Sequence, residues 1–328
     1  MKKILITGIT GFVGSHLADF LLKETDDKIF GLKRPNSQLR NIHHILDQIT
    51  LIDGDLIDQT SLIELIRNVT PDEIYHLGAL SWVSPSWDMP SAYMQTNAIG
   101  TINLFEAMRV ENSKAKVFLS CTPEEYGDVP KELIPITEET RIHPINPYAA
   151  SKAAQDMVSM VYSSSYNFPI IRTRAFNHEG PRREKVFGIS WYAYQIAMIE
   201  NGLMEGPLKV GGIDDRRNFT HVRDIVEAYW ISTEKCNPGE LYLVGSEDDT
   251  SIYTFKEALE KLIKMSTVKK IDYVTEKEFV RPTSVPRLIA DTKKFRDKTD
   301  WEPKKTFDDI LIDTLEYWRE KIKNNDHI

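Results

Sequence analysis

The sequence predicts an α/β fold: a doubly wound parallel sheet covered by helices on both faces, with a smaller, mostly C-terminal α/β lobe. Three observations predict it. Short apolar runs alternate with helical patterns up to about residue 175. A glycine-rich turn follows the first apolar run and opens the first helical pattern. Beyond that point the texture changes to helices set among Gly-, Pro- and Arg-containing loops.

The elements follow in order. Residues 4–7 read as a buried strand. Residues 12–23 read as a helix, because Phe12, Leu17, Phe20 and Leu21 share one face. Residues 29–32 and 50–52 are the next strands, and 61–69 a helix. Residues 73–77 form a strand, 91–110 a long helix and 117–120 the fifth strand. Residues 146–166 are helical and 169–173 a sixth strand. Helices are then expected around 189–201, 222–233, 254–265 and 306–321. The strand at 241–244 is expected to rejoin the main sheet. The expected division is residues 1–175 for the sheet domain, with 241–244 returning to it, and 176–328 for a substrate-binding lobe. No internal repeat or low-complexity tract interrupts this order.

A chain of 328 residues, 41% of them hydrophobic, can bury a large core. Its net charge of −8 argues against nucleic acid as the main partner, which would call for a basic face. Cys121 and Cys236 belong to no Cys-x-x-Cys pair, so neither a metal site nor a disulfide framework is expected. The opening Met1-Lys2-Lys3 imitates a signal peptide, but the apolar run after it is too short. No window approaches the ~20 apolar residues of a membrane span. A cytoplasmic setting is expected.

Gly8-Ile9-Thr10-Gly11-Phe12-Val13-Gly14 sits between the first strand and the first helix. The glycines allow a sharp turn, close approach of a pyrophosphate and tight helix–strand packing. Backbone amides and the helix dipole then hold the phosphates. The sheet is thus expected to be Rossmann-type, with Gly8, Thr10, Gly11, Phe12, Val13 and Gly14 holding a dinucleotide. NAD enzymes usually place an acid at the end of strand two. This chain has Lys33 and Arg34 there, cations suited to a 2′-phosphate or simply to solvent. NADP is therefore favoured, with NAD possible. Asp55 and Leu56, after strand three, would edge the adenine.

Tyr148 and Lys152 stand four residues apart, on one helical face. The ammonium and a cationic nicotinamide would favour the phenolate. Tyr148 would then accept a hydroxyl proton while hydride leaves the same carbon. Lys152 would also reach the nicotinamide ribose. Thr122 and Glu124 follow strand five, at the carboxyl edge where such sheets bind ligands. Thr122 would hydrogen-bond the reacting oxygen. Glu124 would remove an acidic proton next to a newly formed ketone, or merely cap a turn. Glu125 fits a turn cap or an arginine partner better, and Cys121 a small buried strand-end residue.

With these motifs assembled, the chain resembles the extended short-chain dehydrogenases that act on nucleotide sugars. Within them it is similar to the GDP-mannose 4,6-dehydratases and the related GDP-4-keto-6-deoxymannose reductases. The most specific stretch runs Phe176-Asn177-His178-Glu179-Gly180-Pro181-Arg182-Arg183. Arg216-Arg217-Asn218-Phe219 with His221-Val222-Arg223-Asp224, and Arg281-Pro282-Thr283 with Val285, carry it further. The resemblance implies that Thr122, Glu124, Tyr148 and Lys152 are catalytic. It implies that Asn177 and Arg182 approach the sugar diphosphate and the cofactor, and that Arg217 and Arg281 clamp the pyrophosphate and nucleotide. Ser81 and Val83 would meet sugar and nicotinamide, and Leu77, Ala79, His178 and Arg183 the cofactor. Two positions depart from the family: Pro123 replaces a Ser or Asp between Thr and Glu, and Ser284 replaces a Glu after Arg-Pro-Thr.

Three activities fit. A GDP-sugar 4,6-dehydratase would oxidise C4, lose water across C5 and C6, and reduce C6 with the same NADP. A 4-keto sugar reductase shares the scaffold, and Glu124-Glu125-Tyr126-Gly127 suits it. A 4-epimerase ranks below both, because small residues usually stand where Glu124 does. A silent dinucleotide-binding protein is disfavoured by the intact Tyr148 and Lys152. The resemblance also implies a homodimer or homotetramer, paired through the helices at 91–110 and 146–166. The basic loop from Lys33 to Arg40 would reach a neighbour's cofactor in a tetramer.

Overall fold

Apolar alternation in the first half builds one seven-stranded sheet. The computed structural model describes residues 1–246, 251–279, 282–283 and 285–324. The strands are β1 (Lys3–Thr7), β2 (Lys28–Lys33), β3 (Thr50–Asp53), β4 (Glu73–His76), β5 (Lys116–Cys121) and β6 (Ile170–Ala175). Four short strands follow: β7 (His178–Glu179), β8 (Leu208–Val210), β9 (Arg216–Asn218) and β10 (Thr220–His221). Then comes β11 (Leu241–Val244), which returns beside β6. Every pairing is parallel, in the order β11-β6-β5-β4-β1-β2-β3. The order reverses between β1 and β4, which opens a crevice at their carboxyl ends. This is a Rossmann-type, doubly wound α/β fold.

Helices α1 (Phe12–Glu24), α2 (Gln59–Val69), α3 (Pro90–Tyr93), α4 (Gly100–Val110), α5 (Pro147–Tyr166), α6 (Gly188–Glu200) and α7 (Val222–Lys235) wrap the sheet or lead into the lobe. One apolar cluster joins β1 and β2 to α1 and α7, and a second joins β4 and β5 to α2 and α4. The long helix expected at 91–110 carries one π-helical stretch, Met94–Ile99, between α3 and α4. Helix starts follow local chemistry. Asp58 caps α2 and Asn146 caps α5, where Pro147 takes the first helical position and needs no amide partner.

The lobe holds α8 (Phe255–Met265) and α10 (Phe307–Lys323), packed with α6 around a third cluster that includes Ile196, Leu262 and Leu315. Both begin with reciprocal capping boxes, at Thr254 and Thr306. A short helix α9 (Lys293–Thr299), which has no clear sequence signature, packs on β11. Strands β12 (Ile252–Thr254), β13 (Tyr273–Thr275) and β14 (Arg287–Leu288) complete two small sheets. No helix among the described residues is long and apolar enough to cross a membrane.

Candidate active site

The turn between β1 and α1 is bare backbone. Gly8 has φ +76°, and a Cβ on it would lie 2.9 Å from Cα of Gly78. A Cβ on Gly14 would lie 2.2 Å from the Gly8 carbonyl oxygen. Gly11 is the N-cap of α1 and offers no side chain to its first-turn amides. A side-chain-free cradle at a helix N-terminus fits the pyrophosphate of a dinucleotide. Thr10 is held by its carbonyl, which accepts from Asn41 Nδ2 at 3.1 Å, and Val13 packs into the sheet cluster. His178 stacks on the Phe12 ring, with the two planes 8° apart. The Arg183 guanidinium lies 5.0 Å from the same ring. His178 Nδ1 donates to the Phe176 carbonyl at 2.9 Å, and burial with Arg183 nearby pushes its pKa down to about 4. It is therefore neutral, with Nε2 left as an acceptor.

At the end of β2 the two cations separate. Lys33 is paired across the strand ends with Asp53, its register partner on β3. Arg34 is exposed, and its backbone amide donates to Ser37 Oγ at 3.1 Å. Asp55 accepts from the Ile57 amide at 3.2 Å and so closes its own turn. The Leu56 carbonyl accepts from Asn103 Nδ2 at 2.9 Å. Leu77, Ala79, Ser81 and the buried Val83 line the chain leaving β4, where Leu77 N donates to the Thr7 carbonyl at 3.3 Å.

Thr122 follows β5 and caps a short 3₁₀ turn, Pro123–Tyr126. Its Oγ accepts from the Glu124 amide at 3.4 Å, and its own amide donates to Glu125 at 3.0 Å. Glu125 therefore caps the turn, and it also pairs with Arg174 at 3.0 Å. Cys121 is buried at the strand end, and burial raises its thiol pKa. Glu124 is half-buried and accepts from Asn146 Nδ2 at 3.2 Å. Tyr148 enters from the first turn of α5, and the Tyr93 ring meets its edge at 6.3 Å. Burial pushes the Tyr148 phenol up, whereas the Thr122 hydrogen bond and the Arg183 charge pull it down. The negative charges of Glu124 and Glu125 push it up further.

Lys152 is buried on the next turn of α5. Its ammonium donates to the Ser120 carbonyl at 2.6 Å and to Gln155 Oε1 at 2.6 Å. Two of its three N–H bonds are thus used inside the protein. Beneath it lies a buried ionic network that the sequence did not announce. Asp156 bridges Arg172 at 2.8 Å and Arg174 at 2.5 Å.

A directed chain of hydrogen bonds joins the cofactor turn to α5. Gly78 N donates to Thr7 Oγ at 3.0 Å, which meets His76 Nδ1 at 2.8 Å. His76 Nε2 meets Thr101 Oγ at 2.8 Å, and that hydroxyl donates to the Asn97 carbonyl at 2.7 Å. The Thr101 hydrogen being spent, it accepts from Nε2–H, and Nδ1 accepts from Thr7. Asn97 Nδ2 then donates to Ser151 Oγ at 2.9 Å, and Ser151 to the Tyr148 carbonyl at 2.7 Å.

The remaining expected residues are spread more widely. The Asn177 carbonyl accepts from Thr220 N at 2.9 Å and ties β7 to β10. Arg182, at φ +68°, pairs with Asp19 of α1 at 2.7 Å. Its neighbour Arg183 is the one that faces Phe12 and influences Tyr148. Arg217 is buried on β9 and donates to the Arg216 carbonyl at 3.0 Å. Arg281 and Ser284 lie outside the described residues.

Comparison with known proteins agrees with this fold. The chain matches the GDP-mannose 4,6 dehydratase family model over residues 5–314. It is 31% identical to the GDP-mannose 4,6-dehydratase of Yersinia enterocolitica, over 96% of this chain and 93% of that protein. It is 28% identical to the GDP-6-deoxy-D-mannose reductase of Pseudomonas aeruginosa, over 98% and 99% of the two chains. Among solved structures it is similar to RMD from Pseudomonas aeruginosa complexed with NADPH, with TM-score 0.85, 28% identity and coverage of 98% and 100%. A match that runs from the first strand into the last helix takes in both the sheet and the lobe, and the chain belongs to the GDP-mannose 4,6 dehydratase family.

Proposed function

We propose that this protein is a GDP-sugar 4,6-dehydratase acting on GDP-mannose or a related GDP-sugar with NADP. The observation that carries it is the meeting of Thr122, Glu124 and Tyr148 at the carboxyl edge of β5. The glycine cradle at Gly8, Gly11 and Gly14 would hold the pyrophosphate of a nicotinamide dinucleotide, which when bound would supply the hydride chemistry between C4 and C6. The protein side chains do the rest. Tyr148 accepts the C4 hydroxyl proton, and Thr122 steadies the same oxygen. The resulting ketone makes the C5 hydrogen acidic; Glu124 removes that proton and hands it to the departing C6 hydroxyl, which leaves as water, and C5 takes a solvent proton in place of the one Tyr148 released from the C4 hydroxyl. Arg217, with Arg281, Asn177 and Arg182, is assigned to the nucleotide diphosphate, and the lobe to the sugar nucleotide as a whole.

NADP is preferred over NAD through Arg34. A cytoplasmic setting and a homodimer, or a tetramer built from it, belong to the same proposal. Supporting the dimer, Met94, Ile99 and Val110 on one predicted pairing segment, and Met157, Met160 and Val161 on the other, are exposed apolar residues.

A 4-keto sugar reductase is the second reading, favoured by one observation. Pro123 occupies the first position of the 3₁₀ turn and has no hydroxyl or acid to protonate a departing hydroxyl. The test is incubation with GDP-mannose and catalytic NADP, without reductant. A product lighter by one water, at many turnovers per cofactor, supports the dehydratase. Untouched GDP-mannose, with NADPH consumed on the 4-keto-6-deoxy sugar, replaces it with the reductase.

A further inference from the structure

We propose that Asn146 is a positioning residue that aims Glu124, and that it does so with the same side chain that starts the catalytic helix. The proposal rests on the dehydratase reading for its kinetic consequence, but not for its geometry.

Asn146 is 7% exposed and stands immediately before Pro147. Its two amide atoms do different work. Oδ1 accepts from the Ala149 amide at 2.8 Å and closes the first turn of α5. Nδ2 donates to Glu124 Oε2 at 3.2 Å. A planar amide cannot turn one end without turning the other. The helix that carries Tyr148, two residues on, therefore sets the orientation of the Glu124 amide donor. The 3₁₀ turn fixes Glu124 from the other side, through the Thr122 hydroxyl on its backbone amide. The carboxylate is thus gripped at one oxygen, and Oε1 remains to meet a substrate proton.

A plain N-cap needs only an acceptor, and Asn, Asp and Ser serve almost equally well. Choosing among them separates the two roles. Asn146→Ser keeps the acceptor for Ala149 and removes the donor to Glu124. Asn146→Asp also keeps the cap, and sets a second carboxylate against the first. If Asn146 were only a cap, both variants would behave as wild type. If it aims Glu124, both stay folded and keep wild-type NADPH affinity, yet lose dehydration of GDP-mannose. A base displaced by about 1 Å loses roughly tenfold to a hundredfold in rate. The loss falls on kcat with KM unchanged, and on the wash-in of solvent deuterium at C5.

A second measurement needs no sugar. Glu124→Gln, Asn146→Ser and the double variant form a cycle of thermal midpoints. If the contact exists, the double variant shifts less than the sum of the single shifts. Additive shifts, or an Asn146→Ser turnover within about twofold of wild type, overturn the proposal. Failure of wild-type protein to dehydrate GDP-mannose would instead sink the dehydratase reading, while the cycle still decides the role of Asn146.

Discussion

At Tyr148 two influences oppose each other, and together they set the pH response. Burial raises the phenol pKa, and the Thr122 hydrogen bond and Arg183 lower it. A base that must be phenolate gains reactive fraction as pH rises toward that raised pKa, so turnover is expected to climb from neutral into alkaline pH. A flat profile between pH ~6 and ~9 would show that Tyr148 deprotonation does not limit the rate. Tyr148→Phe is expected to abolish turnover while NADPH still quenches tryptophan fluorescence with wild-type affinity. Glu124→Gln is expected to stop water loss but leave slow C4 oxidation, seen as NADPH absorbance that rises once and stays. Full turnover in that variant would remove Glu124 from the mechanism. Asp53 is a third case. Its pairing with Lys33 leaves Arg34 as the exposed cation at the end of β2. Asp53→Asn is expected to tighten NADPH binding about threefold, with NADH unchanged and the gain fading in high salt. An unchanged NADPH-to-NADH affinity ratio would show that this pair plays no part in cofactor choice.

The elements that position these residues differ in how plainly the sequence announces them. The turn between β1 and α1 is legible because its glycines have no substitute. Gly14→Ala would put a methyl 2.2 Å from the Gly8 carbonyl. The expected result is a loss of about 1–3 kcal/mol in stability, with NADPH binding lost in the same variant; a wild-type melting curve would contradict it. The strands of the main sheet and helices α1, α2 and α5 are equally legible, since apolar periodicity and caps mark them. Other features have no local signature. The π-helical stretch Met94–Ile99 keeps helical composition and differs only in its hydrogen-bond span. The lobe strands β7 to β10 and β12 to β14 are two or three residues long, too short for alternation to register. Lys152 was legible as Tyr148's helical neighbour, but its bonds to Ser120 and Gln155 depend on how β5 meets α5. The Lys33–Asp53 pair likewise exists only once β2 and β3 align. Asn146 was readable as a helix start, and its second contact was not, because Glu124 is 22 residues away.

For the whole molecule, acid is the expected weakness. His16 and His76 are buried and held down to about 3, and His221 to about 4, with burial the largest cause in each. In the unfolded chain a histidine takes its proton near pH ~6.5. The unfolded state then binds more protons than the folded one, so stability is complete above that pH and drains away as pH falls toward 4. His221 adds a structural reason, since its Nδ1 accepts from Arg223 N at 3.0 Å to cap α7 and would lose that role on protonation. Urea midpoints are expected to be level from pH ~8 to ~7 and to fall below pH ~6.5; a level midpoint down to pH ~5 would refute this. His76 has a further consequence. Its neutral ring relays a row of hydrogens that point one way from Gly78, beside the cofactor turn, to the Asn97 backbone carbonyl, and the Asn97 side-chain amide starts a second row through Ser151 to the Tyr148 carbonyl. Each hydroxyl in that row has a single hydrogen to give, so no link can reverse alone. The Leu80 amide joins the row through Asn97, donating to its Oδ1 at 2.8 Å; the cofactor turn and the start of the catalytic helix are therefore expected to open as one unit, and the amides of Gly78 and Leu80 should exchange with solvent deuterium at a common rate.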